Sequence, residues 1–442
     1  MPKKTWIISS LSLPLLFTFS LSGCANPYAT NPEESEVDQK ATVEKNSPQS
    51  VTVSAETPPV PANVTAKKQT EMVTTSINAF TNQLYSQLNL KKENLFLSPY
   101  SVATALAMTY VGAEATTKTQ MAQTLQFGTA NTPDILLGFS GLQKSFVRID
   151  ANYELNITNH LWVQKGTSLV ADFTEQLGDA EIAVPKTANF QKEPEIARTQ
   201  INDHIAEQTR QKIKDLLTPG LVTSNTRLVL TNAIYFKGKW QTPFNKASTE
   251  EQDFLKLDNT SIKVPTMYQK GQFRYFSDND AQLIELPYQS SEGNPGLSMV
   301  VLLPQKNENF EATEKKLSHY LQKLAKNDSP VEIMVFLPRF KLESAFQLQE
   351  PLKKMGMEDA FDPAKANFKG MIKDEKLAIS AVVHKAFIEV NEEGSEAAAA
   401  TAVVTSRGMS PTFRANHPFI FWIKDNSTGT ILFLGKVLEP NK

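Results

Sequence analysis

Residues 392–410 of this 442-residue chain read EEGSEAAAATAVVTSRGMS. The segment holds four consecutive alanines and no large apolar side chain before Met409, so it cannot bury enough surface to serve as a core element. Alanine favours helix, whereas Thr401, Val403 and Val404 favour strand, so the local preferences conflict. A segment of small residues with no settled secondary structure, followed by Arg407, therefore points to a role outside the core.

An apolar strand is predicted directly before this segment, at residues 377–390, and it is long enough to lie in the middle of a sheet. The connection that follows, residues 391–418, is too long to be structureless inside a compact domain without a function. Gly394 supplies a pivot near its start. If the connection became a strand, its side chains would alternate. One face would carry Ser395, Ala397, Ala399, Thr401 and Val403, and the other Glu396, Ala398, Ala400, Ala402 and Val404. Because the first face is small and uncharged near the pivot, the segment could slide between existing strands without burying a charge.

The N-terminus predicts export. Residues 1–24, MPKKTWIISSLSLPLLFTFSLSGC, carry two lysines and then an apolar run that is short for a membrane-spanning helix. The run ends in Leu21-Ser22-Gly23-Cys24, which resembles the bacterial lipobox, where the cysteine is acylated after cleavage before it. Cys24 is the only cysteine in the chain, which excludes an intramolecular disulfide. The alternatives are an incidental cysteine in a signal peptide and an uncleaved anchor.

Three segments are therefore expected. Residues 1–23 form a lipoprotein signal peptide, residues 24–68 a disordered Pro/Ser/Thr/Glu-rich tether, and residues 69–442 one globular domain. Acylated Cys24 would hold the protein on a lipid bilayer at the bacterial cell envelope, at the outer membrane or the cell surface, with release to the outside as the alternative.

The globular part reads as an α+β domain. Apolar spacing predicts helices over residues 72–88 and 195–217, and a third over 103–111 that Ser98 and Pro99 introduce as N-cap and first helical residue. Later strands outnumber helices, which argues against alternating βαβ units. Besides the strand already named, the predicted strands are 228–236, 283–287, 297–303, 331–336, 419–423 and 431–435.

Composition and motifs exclude several classes of function. The net charge of −2 offers no reason to expect a nucleic-acid partner. The chain has no Gly-x-Ser-x-Gly motif, no glycine-rich phosphate loop and no paired cysteines for zinc. We therefore expect no metal and no cofactor, and a non-enzymatic protein. A Ser-His-Asp triad assembled from distant residues is the enzymatic alternative that stays open.

Four motifs, in order along the chain, resemble those of the serpin family of serine protease inhibitors. They are 94–101 (NLFLSPYS), 232–240 (NAIYFKGKW), the hinge 392–401 and 413–421 (FRANHPFIF). The hinge comprises Glu392, Glu393, Gly394, Ser395, Glu396, Ala397, Ala398, Ala399, Ala400 and Thr401. Together the motifs extend over about residues 70–440, so the tether and the lipobox lie outside the resemblance.

The resemblance implies the serpin fold, with three β-sheets, about nine helices and an exposed reactive-centre loop at about residues 391–415. It also implies a suicide-substrate inhibitor of serine or cysteine endopeptidases that traps the acyl-enzyme when the cleaved loop inserts into the main sheet. Ser98, Ser101, Asn232 and His384 would form the shutter, the polar cluster where that sheet opens. Trp240 would lie at the breach, where insertion begins. Without the resemblance, His384 is by default a buried, hydrogen-bonded core residue. Ser98 and Ser101 could equally be helix-start caps, and Trp240 a core aromatic.

Arg407 raises the question of specificity. Counting back from Pro418 places the scissile bond at Arg407–Gly408, which predicts a trypsin-like serine protease as partner, because such a protease has a pocket for a cation. Counting from Gly394 places it at Gly408–Met409, which predicts an elastase-like or other small-residue-preferring protease. The functional alternative is a non-inhibitory serpin acting as a binding or scaffold protein. The resemblance implies a monomer.

Overall fold

The computed structural model describes residues 62–146, 153–290, 296–324, 329–394 and 411–441. Nine α-helices lie in these ranges: α1 (Ala62–Leu88), α2 (Pro99–Gly112), α3 (Ala115–Thr124), α4 (Thr132–Phe146), α5 (Ala171–Asp179), α6 (Pro194–Gln208), α7 (Phe310–Lys315), α8 (Leu317–Tyr320) and α9 (Gln349–Lys354). The strands are β1 (Leu95–Leu97), β2 (Tyr153–Gln164), β3 (Lys186–Ala188), β4 (Leu228–Gly238), β5 (Glu250–Leu255), β6 (Ser261–Ser277), β7 (Ala281–Pro287), β8 (Leu297–Pro304), β9 (Val331–Pro338), β10 (Phe340–Gln347), β11 (Ala381–Val390), β12 (Thr412–Arg414), β13 (Phe419–Asp425) and β14 (Ile431–Val437).

Strand pairing gives two hydrogen-bonded sheets, and the larger of them divides at β6 into two halves. One sheet, the main sheet, has the order β10-β11-β4-β2-β3. The other nine strands are joined through the long strand β6, which pairs with β9 over residues 266–273 and with β7 over residues 274–277. On one side of this junction lie β7, β8, β13, β14 and β1, and on the other β9, β12 and β5. These two halves and the main sheet correspond to the three sheets of the predicted α+β fold.

The main sheet is packed on both faces. Along β4 and β11, alternate residues belong to two different hydrophobic clusters, because successive side chains of a strand point to opposite faces. Leu230 and Val382 belong to the larger cluster, with α2, β13 and β14. Val229 and Val383 belong to the smaller one, with α6 and the segment at residues 213–222 that follows it. The sequence of α2 is mostly apolar around the whole helix, and accordingly every residue of α2 is buried.

The sequence placed the start of α2 correctly. Ser98 is the N-cap: its side chain accepts a hydrogen bond from the Ser101 backbone N–H at 3.2 Å, and Pro99 occupies the first helical turn. The predicted strands are all present, with ends shifted by a few residues. The strand expected from residue 377 begins only at Ala381, because Ser380 instead uses its side chain to accept a bond from the Arg227 backbone N–H.

Two helix boundaries differ from the prediction. The helix expected over 195–217 ends at Gln208, since Thr209 Oγ1 accepts a bond from the Ile213 backbone N–H at 3.2 Å, and Arg210 and Gln211 take positive φ angles of 50° and 63°. At the other end of the domain, α1 begins at Ala62 and so includes residues 62–68, which the sequence assigned to the tether. Ala and Lys in this stretch are good helix formers, and the next residue, Gln69, anchors the helix by donating from Nε2 to Asp134 Oδ1 at 2.8 Å.

In the described ranges no helix is both long and apolar enough to cross a membrane. The predicted signal peptide, Cys24 and the tether up to residue 61 lie outside the described residues.

Candidate functional site

The centre of the main sheet contains a parallel pair of strands, β4 and β11. Their register runs from Ala381 opposite Val229 to Ile388 opposite Phe236. We call this contact the seam. The chain leaves β11 at Val390, at the end of the seam where β4 also ends, so the hinge begins directly beside it.

The four shutter residues meet at the seam. Ser98 donates its backbone N–H to His384 Nε2 at 3.0 Å and its hydroxyl to the Leu432 carbonyl at 2.6 Å. Asn232 Nδ2 donates to Ser101 Oγ, and Asn232 Oδ1 is hydrogen-bonded to His384 Nδ1. Since Asn232 and His384 are register partners on β4 and β11, their bond crosses the seam directly.

His384 is held as a neutral imidazole. Nε2 accepts the Ser98 N–H, so the proton must reside on Nδ1, which donates to Asn232 Oδ1. Burial lowers the pKa of His384 to about 3, although a hydrogen bond with the backbone of Asn232 acts in the opposite direction. A second proton on Nε2 would point at another donor, so protonation breaks the cluster.

Sequence reasoning missed Asn159 of β2. Its Oδ1 accepts from Ser101 Oγ at 2.7 Å and from Asn232 Nδ2, so it completes the cluster on the third strand. The available signal was weak: Asn159 is a polar residue on the same face as Leu161 and Val163, which belong to the larger hydrophobic cluster.

Trp240 lies at the hinge end of the seam. Its indole Nε1 donates to the Asn391 carbonyl at 2.9 Å, and its backbone N–H donates to the Glu393 carbonyl at 3.2 Å. The ring stacks on Tyr288, with centroids 4.5 Å apart and planes 10° from parallel. The backbone of the hinge is therefore fastened across the end of β4.

Gly394 is required by this contact. Its φ is 66°, and a Cβ atom at this position would lie 2.3 Å from the Gly238 carbonyl oxygen and 2.4 Å from the Trp240 nitrogen. Both neighbours are backbone atoms that have little room to move, so any side chain would force the hinge away from β4.

An ion pair with a buried carboxylate holds the hinge beside Trp240, and sequence reasoning missed it too. We call this contact the lock. Glu392 Oε1 accepts from Arg339 Nε at 2.7 Å, from Arg339 Nη2 and from Thr249 Oγ1. Burial alone would raise the pKa of Glu392, but the hydrogen bonds from Arg339 and Thr249 outweigh it and hold the pKa below its ordinary value. The carboxylate thus stays ionised, and it ties the hinge to the residue that precedes β10. Glu393 forms a second ion pair with Lys246.

An aromatic pair spans the seam between the lock and the shutter. Tyr235 of β4 and Phe387 of β11 are register partners with ring centroids 5.7 Å apart. Lys212 Nζ lies 5.9 Å from both centroids, and Lys341 Nζ lies 5.1 Å from that of Phe387. These distances are within the range of cation–π attraction. The Lys212 ammonium therefore connects β4 and β11 through the rings of Tyr235 and Phe387.

The remaining predicted site residues lie outside the described residues. They are the hinge residues Ser395, Glu396, Ala397, Ala398, Ala399, Ala400 and Thr401, the bond candidates Arg407, Gly408 and Met409, and Cys24. Within the described ranges, no three or more His, Cys, Asp or Glu side chains gather as a metal site would require.

Comparison with known proteins decides the family. A family model described as "Serpin (serine protease inhibitor)" matches residues 75–440. The chain belongs to the serpin family. This serpin is 39% identical over 391 residues to the leukocyte elastase inhibitor of Equus caballus, covering 84% of this chain and all of the relative. It is 37% identical over 379 residues to an uncharacterized serpin-like protein of Methanosarcina mazei, covering 82% and 86% of the two chains.

Solved serpin structures agree with this one. Uncleaved ovalbumin aligns with a TM-score of 0.74 at 29% identity, over 82% of this serpin and 98% of that chain. Serpin48 of Tenebrio molitor, described as a highly specific serpin, aligns with a TM-score of 0.73 at 31% identity, over 83% and 98% of the two chains. The serpin fold predicted from the four motifs is confirmed. At the family level the protein is a protease inhibitor.

Proposed function

We propose that this serpin is a suicide-substrate inhibitor of serine endopeptidases that traps the acyl-enzyme by inserting its cleaved loop into the seam. The observation that carries the proposal is the position of the hinge. Asn391, Glu392 and Glu393 cross from the end of β11 to the end of β4, where they bond to Trp240 and Phe244. A strand that continues from this point and turns back has the seam directly in front of it.

The parallel seam favours such an insertion on geometric grounds. A segment that turns back after β11 runs antiparallel to β11 and also to β4, because these two strands are parallel. It would replace one parallel contact by two antiparallel ones, and antiparallel pairs are slightly more stable per residue. The backbone groups of the loop would also gain partners that solvent otherwise supplies. The free energy released is available to distort the active site of an attached protease.

The composition of the loop supports the same conclusion. On insertion, Ser395, Ala397, Ala399 and Thr401 share one face, and all four are small and uncharged. A non-inhibitory serpin that acts as a binding or scaffold protein is the alternative function, and such a protein has no need of this pattern.

For the target we propose a trypsin-like protease that cleaves Arg407–Gly408, with Arg407 in its specificity pocket. The alternative bond, Gly408–Met409, gains support from the name of the equine relative, a leukocyte elastase inhibitor. Incubation with trypsin and with elastase in parallel, followed by mass spectrometry of the released peptide, distinguishes them. A peptide that begins with Gly408 supports the trypsin-like target, and one that begins with Met409 overturns it.

Ala397→Arg tests the mechanism. The substitution would bury an unpaired cation when the loop inserts, whereas the uncleaved loop tolerates it. We expect cleavage without a denaturant-resistant complex, so that the inhibitor becomes a substrate. Glu396→Arg is the matched control, because its face already carries a charge, and it should still form the complex. If Ala397→Arg inhibits with the stoichiometry of the wild type, loop insertion is not the mechanism.

We also propose that the protein is a bacterial lipoprotein, tethered through acylated Cys24 to the cell envelope. One acyl chain gives only marginal binding to a membrane, whereas the several chains of a lipoprotein anchor stably. Cys24→Ser should abolish labelling by radioactive palmitate and release the protein or leave it unprocessed. Unchanged labelling would exclude the lipobox.

A further inference from the structure

Two histidines that are distant in sequence meet between the main sheet and the helix that covers it. His160 lies on β2 and His204 on α6, and their Nε2 atoms are 2.9 Å apart. The ring centroids are 4.7 Å apart, with the planes inclined by 50°. Both side chains are half-buried, so water reaches the pair. Neither residue takes part in the proposed inhibition.

The surroundings keep both rings neutral. Burial, with the nearby His204 and Lys186 acting in the same direction, lowers the pKa of His160 to about 4. Burial and Lys186 also lower the pKa of His204, which Glu207 raises only in part. At neutral pH one ring therefore donates its Nε2 proton to the other. Neutral imidazole is the commonest protein ligand for metals, and two such nitrogens already converge here.

We propose that His160 and His204 form a site for a divalent transition-metal ion of tetragonal geometry, Cu²⁺ or Ni²⁺, bound through both Nε2 atoms. The ring that donates in the metal-free pair would move its proton from Nε2 to Nδ1, so that no net proton is released. Water would fill the other positions around the ion.

The separation of the two nitrogens is compatible with a tetragonal ion. Metal–imidazole bonds are about 2.0–2.1 Å long, so two ligands at the 90° angle of a tetragonal ion lie about 2.8–3.0 Å apart. The tetrahedral angle that zinc prefers would set them about 3.3–3.4 Å apart. The observed 2.9 Å is the length of a hydrogen bond and is close to the first value, so the two rings would turn towards a common ion without moving apart. Cu²⁺ also stands highest in the affinity order of divalent ions for nitrogen ligands.

Two further residues bear on the affinity. Lys186 carries a positive charge close to both rings, which opposes a cation. The described residues supply no third side chain to complete a metal cluster. We therefore expect an affinity well below that of a closed structural site, and a Lys186→Gln variant that binds more tightly than the wild type.

A bound ion would tie α6 to β2. Because α6 and residues 213–222 pack over the seam, the ion would stabilise the layer that covers it. A ligand that binds only the folded state raises the midpoint of thermal unfolding, so this consequence can be measured without a protease.

Titration of the intact protein with Cu²⁺ alone tests the site. Electron paramagnetic resonance should show two imidazole nitrogens bound to the copper ion. The midpoint of thermal unfolding should rise. His204→Gln, a half-buried change on a helix surface, should weaken binding at least tenfold and abolish the rise. His319→Gln, which removes an exposed histidine on α8, is the matched control and should do neither. A spectrum with one nitrogen ligand, or equal Cu²⁺ affinity of the wild type and His204→Gln, overturns the proposal. Neither measurement requires a variant of His160, whose substitution on β2 could prevent folding.

Discussion

Reversal of charge at Glu392 should destabilise the native protein strongly, because this carboxylate is the buried half of the hinge lock. Its side chain is 2% exposed and accepts bonds from Arg339 and Thr249. In Glu392→Lys an ammonium would replace it beside the Arg339 guanidinium. Breaking a buried ion pair costs about 3–5 kcal/mol. Since the Arg339 side chain is 42% exposed and water can solvate part of its charge, we expect a loss at the lower end, about 3 kcal/mol.

The loss is measured as the change in the free energy of unfolding of the intact protein in urea. The second substitution Arg339→Glu, which restores opposite charges, should recover about 1–2 kcal/mol of it, as expected for contacting residues in a double-mutant cycle. Glu350→Lys is the matched control: the Glu350 side chain is 72% exposed and pairs with Lys353, so the change should stay within about 0.5 kcal/mol. A Glu392→Lys variant as stable as the wild type, or a double variant whose losses simply add, would refute the lock.

Three further predictions concern the seam. Neutral His384 contributes stability that is fully present above the unfolded pKa of about 6.5 and is lost as the pH falls towards its folded pKa of about 3. The free energy of unfolding of the wild type should therefore fall more steeply between these pH values than that of His384→Gln. Equal slopes would contradict the neutral state of His384. Lys212→Met removes the cation over the rings of Tyr235 and Phe387 but keeps the length of the side chain, so stability should fall by about 0.5–1 kcal/mol, whereas no change would mean that the ammonium is solvated elsewhere. Gly394→Ala should release the hinge from β4, at a cost of about 1–3 kcal/mol, and raise the rate at which dilute trypsin nicks the intact loop; an unchanged rate would show that the tight turn is not what holds the hinge.

Alternation along the strands made part of this site predictable. The apolar runs of β4 and β11 are visible in the sequence, and the alternation along β11 places His384 among buried residues. The serine that precedes Pro99 identified the start of α2 and is indeed its N-cap. That these residues form one cluster, however, came only from the resemblance to a family, because alternation indicates which face a side chain occupies and not which strand lies beside it.

The residues that were missed share a physical reason. Asn159 and Arg339 act through partners more than 50 positions away, Asn232 and Glu392, and their roles depend on sheet order and register. The end of α6 depends on Thr209 turning its hydroxyl back to the chain, which competes with continued helix and has no apolar periodicity to signal it. Local preference therefore predicted the elements well, whereas it could not predict contacts that only the assembled sheet creates.

The order of the contacts along β11 constrains how a strand can enter the seam. The shutter lies at residue 384 and the aromatic pair at residue 387 of β11, and the lock lies at residue 392, just beyond the end of β11 at Val390. At about 3.3 Å per residue, residues 384–390 extend over about 20 Å of the sheet. In the proposed mechanism, entry would begin at the hinge end, where the lock would break first, then the Lys212 bridge, and the shutter last. A change at the lock should therefore alter the rate at which insertion starts, whereas a change at the shutter should act only after several loop residues have entered. If the cleaved loop inserts as proposed, the contacts that keep the intact sheet closed also set the barrier that the loop must cross before the protease escapes. Stabilising any of them further would then exchange inhibition for stability.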